Sequence, residues 1–153
     1  MTVITPNVAY RDLMFAIKTN RDAAVLPDTA YGALFTITGG RIIVMGMIGE
    51  VTTIMDGTAT NLKVTATPTT GTAVDVATNV AVANKEVGCL IGFYTFGAAL
   101  VASNAGAAPI GATPFVVPIG TLGITTSATQ TGACKWSLFW APLDDDASVA
   151  AAA

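Results

Sequence analysis

Few side chains in this sequence can do acid–base or nucleophilic chemistry. There is no histidine, which removes Ser-His and Cys-His activation and the commonest metal ligand together. From Ala33 to Lys135 the isolated acids are Glu50, Asp56, Asp75 and Glu86, and their spacing sets up no carboxylate pair of the kind glycoside hydrolysis needs. Asp56 precedes Gly57 in a turn signal, and Asp75 falls on an expected solvent-facing strand position. Turn-stabilising and solvated roles follow for these two. The run Asp144-Asp145-Asp146 lacks the alternating acids and central glycine of a calcium loop. Gly46 and Gly49 lie in a strand signal and not at the mouth of a helix, so they do not form a phosphate loop. We expect a non-enzymatic protein with no catalytic residue, no cofactor and no metal site.

Cys89 and Cys134 are the only cysteines, too few for a disulfide scaffold and without metal-ligand spacing. Two buried free thiols are the first reading, and a disulfide between two strands is the other. The aromatics Phe93, Tyr94, Phe96, Trp136, Phe139 and Trp140 offer a sugar-stacking platform or, more simply, core packing and subunit contact. They are not accompanied by the basic residues that a nucleic-acid platform needs.

Composition sets the frame for these residues. Only 11% of the 153 residues are charged and 52% are hydrophobic, with a net charge of -3; soluble domains usually carry about 25% charged residues. A negative chain with scattered basic residues has no face to neutralise phosphates, so no nucleic-acid partner is expected. The uncharged stretch between Glu86 and Lys135 is broken by Gly92, Gly97, Ser103, Asn104, Gly106, Pro109 and Gly111. It falls short of the ~20 apolar residues of a membrane span, and no membrane partner is expected. The first residues, Met-Thr-Val-Ile-Thr-Pro-Asn, do not read as a secretory signal. A surface poor in charge is then best explained by partners that cover it.

The elements divide the chain into three. Six of the charged residues (Arg11, Asp12, Lys18, Arg21, Asp22, Asp28) precede Tyr31, and residues 1–30 read as an N-terminal arm. A short helix is expected over Val8 to Thr19, stopped by Pro27. Residues 31–143 carry short runs rich in Val, Ile, Thr and aromatics, punctuated by Gly, Pro, Asn and Asp. Ala33–Thr38 and Arg41–Ile48 flank Gly39-Gly40, which reads as a hairpin turn. Asn61–Thr67 alternates, with Leu62, Val64 and Ala66 on one face. Thr72–Val82 and Val87–Phe96 continue the β pattern, and Phe115–Ile119 between prolines suggests an edge strand. In Ala133–Trp140 one face carries Trp136, Leu138 and Trp140. Residues 144–153 read as an exposed acidic, Ala-rich tail. The expected fold is all-β, an antiparallel two-sheet sandwich (jelly-roll-like) with an extended N-terminal arm.

Three segments carry a resemblance: Ala33-Leu-Phe-Thr-Ile-Thr-Gly-Gly-Arg-Ile-Ile-Val-Met-Gly-Met-Ile-Gly-Glu-Val-Thr-Thr53, Asn61-Leu-Lys-Val-Thr-Ala-Thr-Pro-Thr-Thr-Gly-Thr-Ala-Val-Asp75 and Lys135-Trp-Ser-Leu-Phe-Trp-Ala-Pro-Leu-Asp-Asp145. Together they resemble small Ala/Thr/Gly-rich virion structural proteins of tailed bacteriophages, of the capsid decoration kind. The resemblance implies a capsid decoration (cement) protein that binds the major capsid protein as a homo-oligomer, a trimer by analogy. Its place would be the capsid surface of the virion, after synthesis in the bacterial host cytoplasm. It transfers no catalytic residue. The arm supplies the candidate capsid or subunit contacts, Leu13, Phe15 and Ile17. The alternatives are a tail or head-fibre base structural protein and, from other classes, a carbohydrate-binding module or a small glycosidase.

Overall fold

The computed structural model describes residues 16–104, 106–110 and 113–153. Among the described residues the chain is all-β. Eleven strands run in order: β1 (Ile17–Val25), β2 (Tyr31–Thr38), β3 (Ile42–Thr53), β4 (Asn61–Pro68), β5 (Val74–Ala81), β6 (Leu90–Gly92), β7 (Val101–Ser103), β8 (Phe115–Val117), β9 (Gly120–Thr126), β10 (Ala133–Pro142) and β11 (Ser148–Ala151). They form two antiparallel sheets, β1-β10-β3-β6-β7 with β8 also beside β3, and β11-β2-β9-β4-β5. This is the expected two-sheet sandwich. No helix among the described residues is long and apolar enough to cross a membrane.

Alternation of inward apolar and outward polar residues builds each layer. From the first sheet, Ile42, Val44, Met47, Val51, Ile91, Trp136, Leu138 and Trp140 are buried; Phe35, Ile37, Leu62, Val64, Leu122 and Ile124 meet them from the second. The stripe read on the last long strand, Trp136, Leu138 and Trp140, is therefore a core face. Trp136 stands opposite Gly49 on β3, and a Cβ at Gly49 would lie only 2.6 Å from the indole ring. Among the described residues β8 pairs only with β3, as the flanking prolines suggest.

Three expectations need correction. Gly39-Gly40 is not a hairpin turn, because β2 and β3 belong to different sheets. The glycines turn a corner of the sandwich: Gly39 has φ 76°, and a Cβ there would overlap the Asp146 carbonyl oxygen. Second, the tail assigned to 144–153 is not free. β11 pairs with β2, Val149 opposite Ile37, because small side chains at its alternate positions let the strand lie at the sheet edge. Third, the N-terminal 1–30 is not an arm throughout. Ile17–Thr19, placed in a helix, begins β1, which pairs along β10 from Ile17 opposite Trp140 to Val25 opposite Ala133. Its charges at Lys18 and Asp22 occupy exposed positions of an edge strand, where charge discourages further pairing. The rest of the helix expectation, Val8 to Phe15, lies outside the described residues.

The acidic run likewise has a structural role. Arg41 donates to Asp144 Oδ2 from its backbone N (2.7 Å) and Nε (2.9 Å), and to Oδ1 from Nη2 (2.8 Å). The Arg41 side chain, and then its backbone N–H, hold the Asp144 carboxyl down at about 2. That lies below the ~3.9 of an unfolded Asp. The clamp's charged contribution is therefore complete above about pH 4 and is lost as pH falls toward 2. Asp144→Asn should lower the melting temperature at neutral pH, and the gap to the wild type should close between about pH 4 and pH 2. Thermal melts across that range check this; a gap independent of pH would assign the clamp's contribution to shape and not to charge.

Candidate interaction face

The isolated acids Asp56, Asp75 and Glu50 each make local contacts. Asp56 accepts from the Thr58 backbone N (2.8 Å) and from the Thr131 hydroxyl (3.0 Å). Those bonds, Thr58's first, hold its carboxyl at about 2. Asp75 takes Lys63 Nζ at 2.9 Å and the Thr65 hydroxyl at 3.1 Å, and the lysine chiefly lowers its pKa. Glu50 pairs with Lys135 at 3.0 Å. Gly46 and Gly49 lie inside β3. Among the described residues no three His, Cys, Asp or Glu side chains converge as a metal site.

Cys89 and Cys134 are both free and buried. Cys134 is opposite Val51 on one side of β3, while the Val51 N–H bonds the Cys89 carbonyl on the other at 2.9 Å. Their backbones are thus about two strand spacings apart, roughly 9.5 Å, beyond the ~4.4–6.8 Å a disulfide spans. Burial pushes the Cys134 thiol up to about 12 and raises Cys89 in the same direction. An aromatic thiol reagent should find almost no reactive thiol in the native protein and both in denaturant. Rapid native labelling of Cys134 would contradict this packing.

The aromatic residues do not form one platform. Phe93, Trp136 and Trp140 are buried, and the Trp140 indole donates to the Thr19 hydroxyl at 2.9 Å. Tyr94 and Phe96 are exposed, with Phe96 edge-on to Phe115 at 5.5 Å.

A different surface stands out on the outward side of the first sheet. β3 alternates buried Ile42 and Val44 with outward Ile43 and Met45, then resumes after a bulge with outward Ile48 and Glu50. Across β10 the outward neighbours are Ala141 opposite Ile43, Phe139 opposite Gly46, Ser137 opposite Ile48 and Lys135 opposite Glu50. On β8, Val116 lies opposite Ile43. Met45 and Val116 are 42% and 52% exposed, on a sheet whose other face already fills the core. Polar residues line one side of this apolar strip. Lys18 Nζ lies 5.9 Å from the centre of the Phe139 ring, and Ser137 bonds Asn20 at 2.8 Å. On the other side Pro109 and Ile110 close the sheet. The Met47 N–H bonds the Ile110 carbonyl at 3.0 Å, and Gly46 and Gly92 leave no room there for a Cβ.

Of the three contacts expected in the arm, Leu13 and Phe15 lie outside the described residues. Ile17 is partly buried and packs against the core opposite Trp140, so it anchors β1 to its own sheet. Sequence reasoning missed the strip because Ile42-Ile43-Val44-Met45 is apolar at every position, which reads as burial on both faces. Comparison with protein-family models, curated proteins and solved structures finds no match to this chain.

The two faces of the first sheet should respond differently to truncation. Leu138→Ala, in the core, should cost about 2–5 kcal/mol in urea denaturation. Met45→Ser should stay within about 0.5 kcal/mol. A large loss at Met45 would mean that this face is already packed within the monomer.

Proposed function

We propose that this protein is a structural component of a tailed-bacteriophage particle, a decoration protein that binds the major capsid protein on the outside of the head. The observation that carries the reading is the apolar strip of Ile43, Met45, Ile48, Val116 and Phe139 on the solvent side of a completed sandwich. Isolated exposed apolar residues are ordinary, but an aligned set on a rigid sheet is the form an interface takes. The low charge content of the whole chain and the resemblance of its three segments support the same role. In this reading the jelly-roll-like sandwich is the rigid body, copies associate as trimers, and each contact clears roughly 1,000 Å². Synthesis takes place in the bacterial host cytoplasm, and the protein ends on the capsid surface.

Immunogold labelling of intact particles tests location. Label over the whole head supports decoration; label confined to the tail or neck replaces it with an appendage role such as a fibre base. The contact face is tested by Met45→Asp and Val116→Asp, which should leave the melting temperature nearly unchanged and reduce co-sedimentation with particles at least ~10-fold, since burying an unpaired charge is costly. Val74→Asp, at an exposed position on β5 of the other sheet, should bind as the wild type does. Deleting residues 2–15, and not 1–30, isolates Leu13 and Phe15 while keeping β1 in its sheet.

A further inference from the structure

Met45 has no register partner on β10, because Phe139 pairs with Gly46 and Trp140 with Val44. The bulge turns it out of the packing of its own sheet. Three methionines fall among the described residues, Met45, Met47 and Met55, and they divide sharply. Met47 and Met55 are each 1% exposed and belong to the core, whereas Met45 is 42% exposed. A thioether is soft, polarisable and carries no proton, so access and not titration governs its reactivity. The sulfurs of Met47 and Met55 lie behind the sheets, and a reagent reaches them only when the sandwich opens. The sulfur of Met45 needs no such opening.

We propose that Met45 is a site of reversible oxidation by hydroperoxides, and that its sulfoxide switches off the outward strip as a docking face. The switch rests on the strip being that face, whereas the oxidation site stands on exposure alone. In the forward step a sulfur lone pair attacks one peroxide oxygen. The S–O bond forms, the O–O bond breaks, and the second oxygen takes the proton of the first and leaves as water. Sulfur is thereby oxidised and the peroxide reduced. A sulfoxide reductase working with a dithiol reverses the step, releasing the sulfoxide oxygen as water and leaving a disulfide. Oxidation replaces an apolar, adaptable side chain by a polar, chiral one. The rest of the strip, Ile43, Ile48, Val116 and Phe139, carries no side-chain donor for the new oxygen. Covering the strip would then bury an unsatisfied acceptor, which is costly.

Hydrogen peroxide is the probe, applied to the full-length protein and followed by peptide mass spectrometry. Met45 should convert at least ~10-fold faster than Met47 or Met55, and urea, which opens the sandwich, should bring the rates together. Equal rates in the native protein, or rates that stay apart in urea, would overturn the oxidation site. The switch is read by co-sedimentation with particles, as the ratio of peroxide-treated to untreated protein. That ratio should fall at least ~10-fold for the wild type. For Met45→Leu, which has no thioether at this position, treatment should leave sedimentation unchanged, whatever the variant's own affinity. Methionine sulfoxide reductases for both epimers, with dithiothreitol, should restore the treated wild type. A loss that persists in Met45→Leu, or no loss after full conversion of Met45, would overturn the switch. If untreated protein does not sediment with particles, the docking reading falls and the switch with it, while the peptide map still decides the oxidation site.

Discussion

Trp136 lies across Gly49 of the neighbouring strand, and this one fit determines how the longest ladder of the protein is set. A side chain at position 49 would occupy the space of the indole ring, so β10 meets β3 in the register that puts Trp136 over glycine, Leu138 over Met47 and Trp140 over Val44. Keeping all three inward requires one extra residue on β3 between Gly46 and Val44, because a strand changes face at every residue. Met45 is that residue. The bulge that preserves core packing also turns Met45 outward, so the exposed strip follows from the packing of the tryptophans.

The same ladder organises the rest of the sandwich. β1 adds to the free side of β10 and β6 and β8 to the free side of β3, and the second sheet closes over the stripe with Phe35, Leu62 and Leu122. At the two open sides the sheets approach each other, β1 alongside β11 and Thr78 of β5 bridged to Ala99. These approaches partly cover the edges at β1, β11 and β5.

Legibility of the sites followed the same division. The roles of Asp56 as a turn residue and of Trp136, Leu138 and Trp140 as a packed stripe were visible because each rests on local spacing. The clamp of Arg41 on Asp144 spans most of the chain, and nothing around either residue announces the other. Arg21, opposite Trp136 on β10, was counted among the charges of an arm, since an inward arginine on an edge strand differs from an outward one only in the phase that its partner strand imposes. The outward strip was hidden for the opposite reason: a run apolar at every position carries no phase at all.

By itself the sequence determined that this is an all-β protein, that alternating Leu62, Val64 and Ala66 face inward, that glycine and proline punctuate short strands, and that chemistry relying on histidine is absent. These are properties of period-two patterning and residue type, which need no knowledge of the partner strand. Only the tertiary structure decided that Gly39-Gly40 turns a corner between sheets, that Ser148–Ala151 closes an edge, and that Met45 turns outward. Each depends on which strands pair and where a bulge resets the phase. Those choices are made by contacts between residues distant in the chain, where packing of the tryptophan stripe outweighs any local preference.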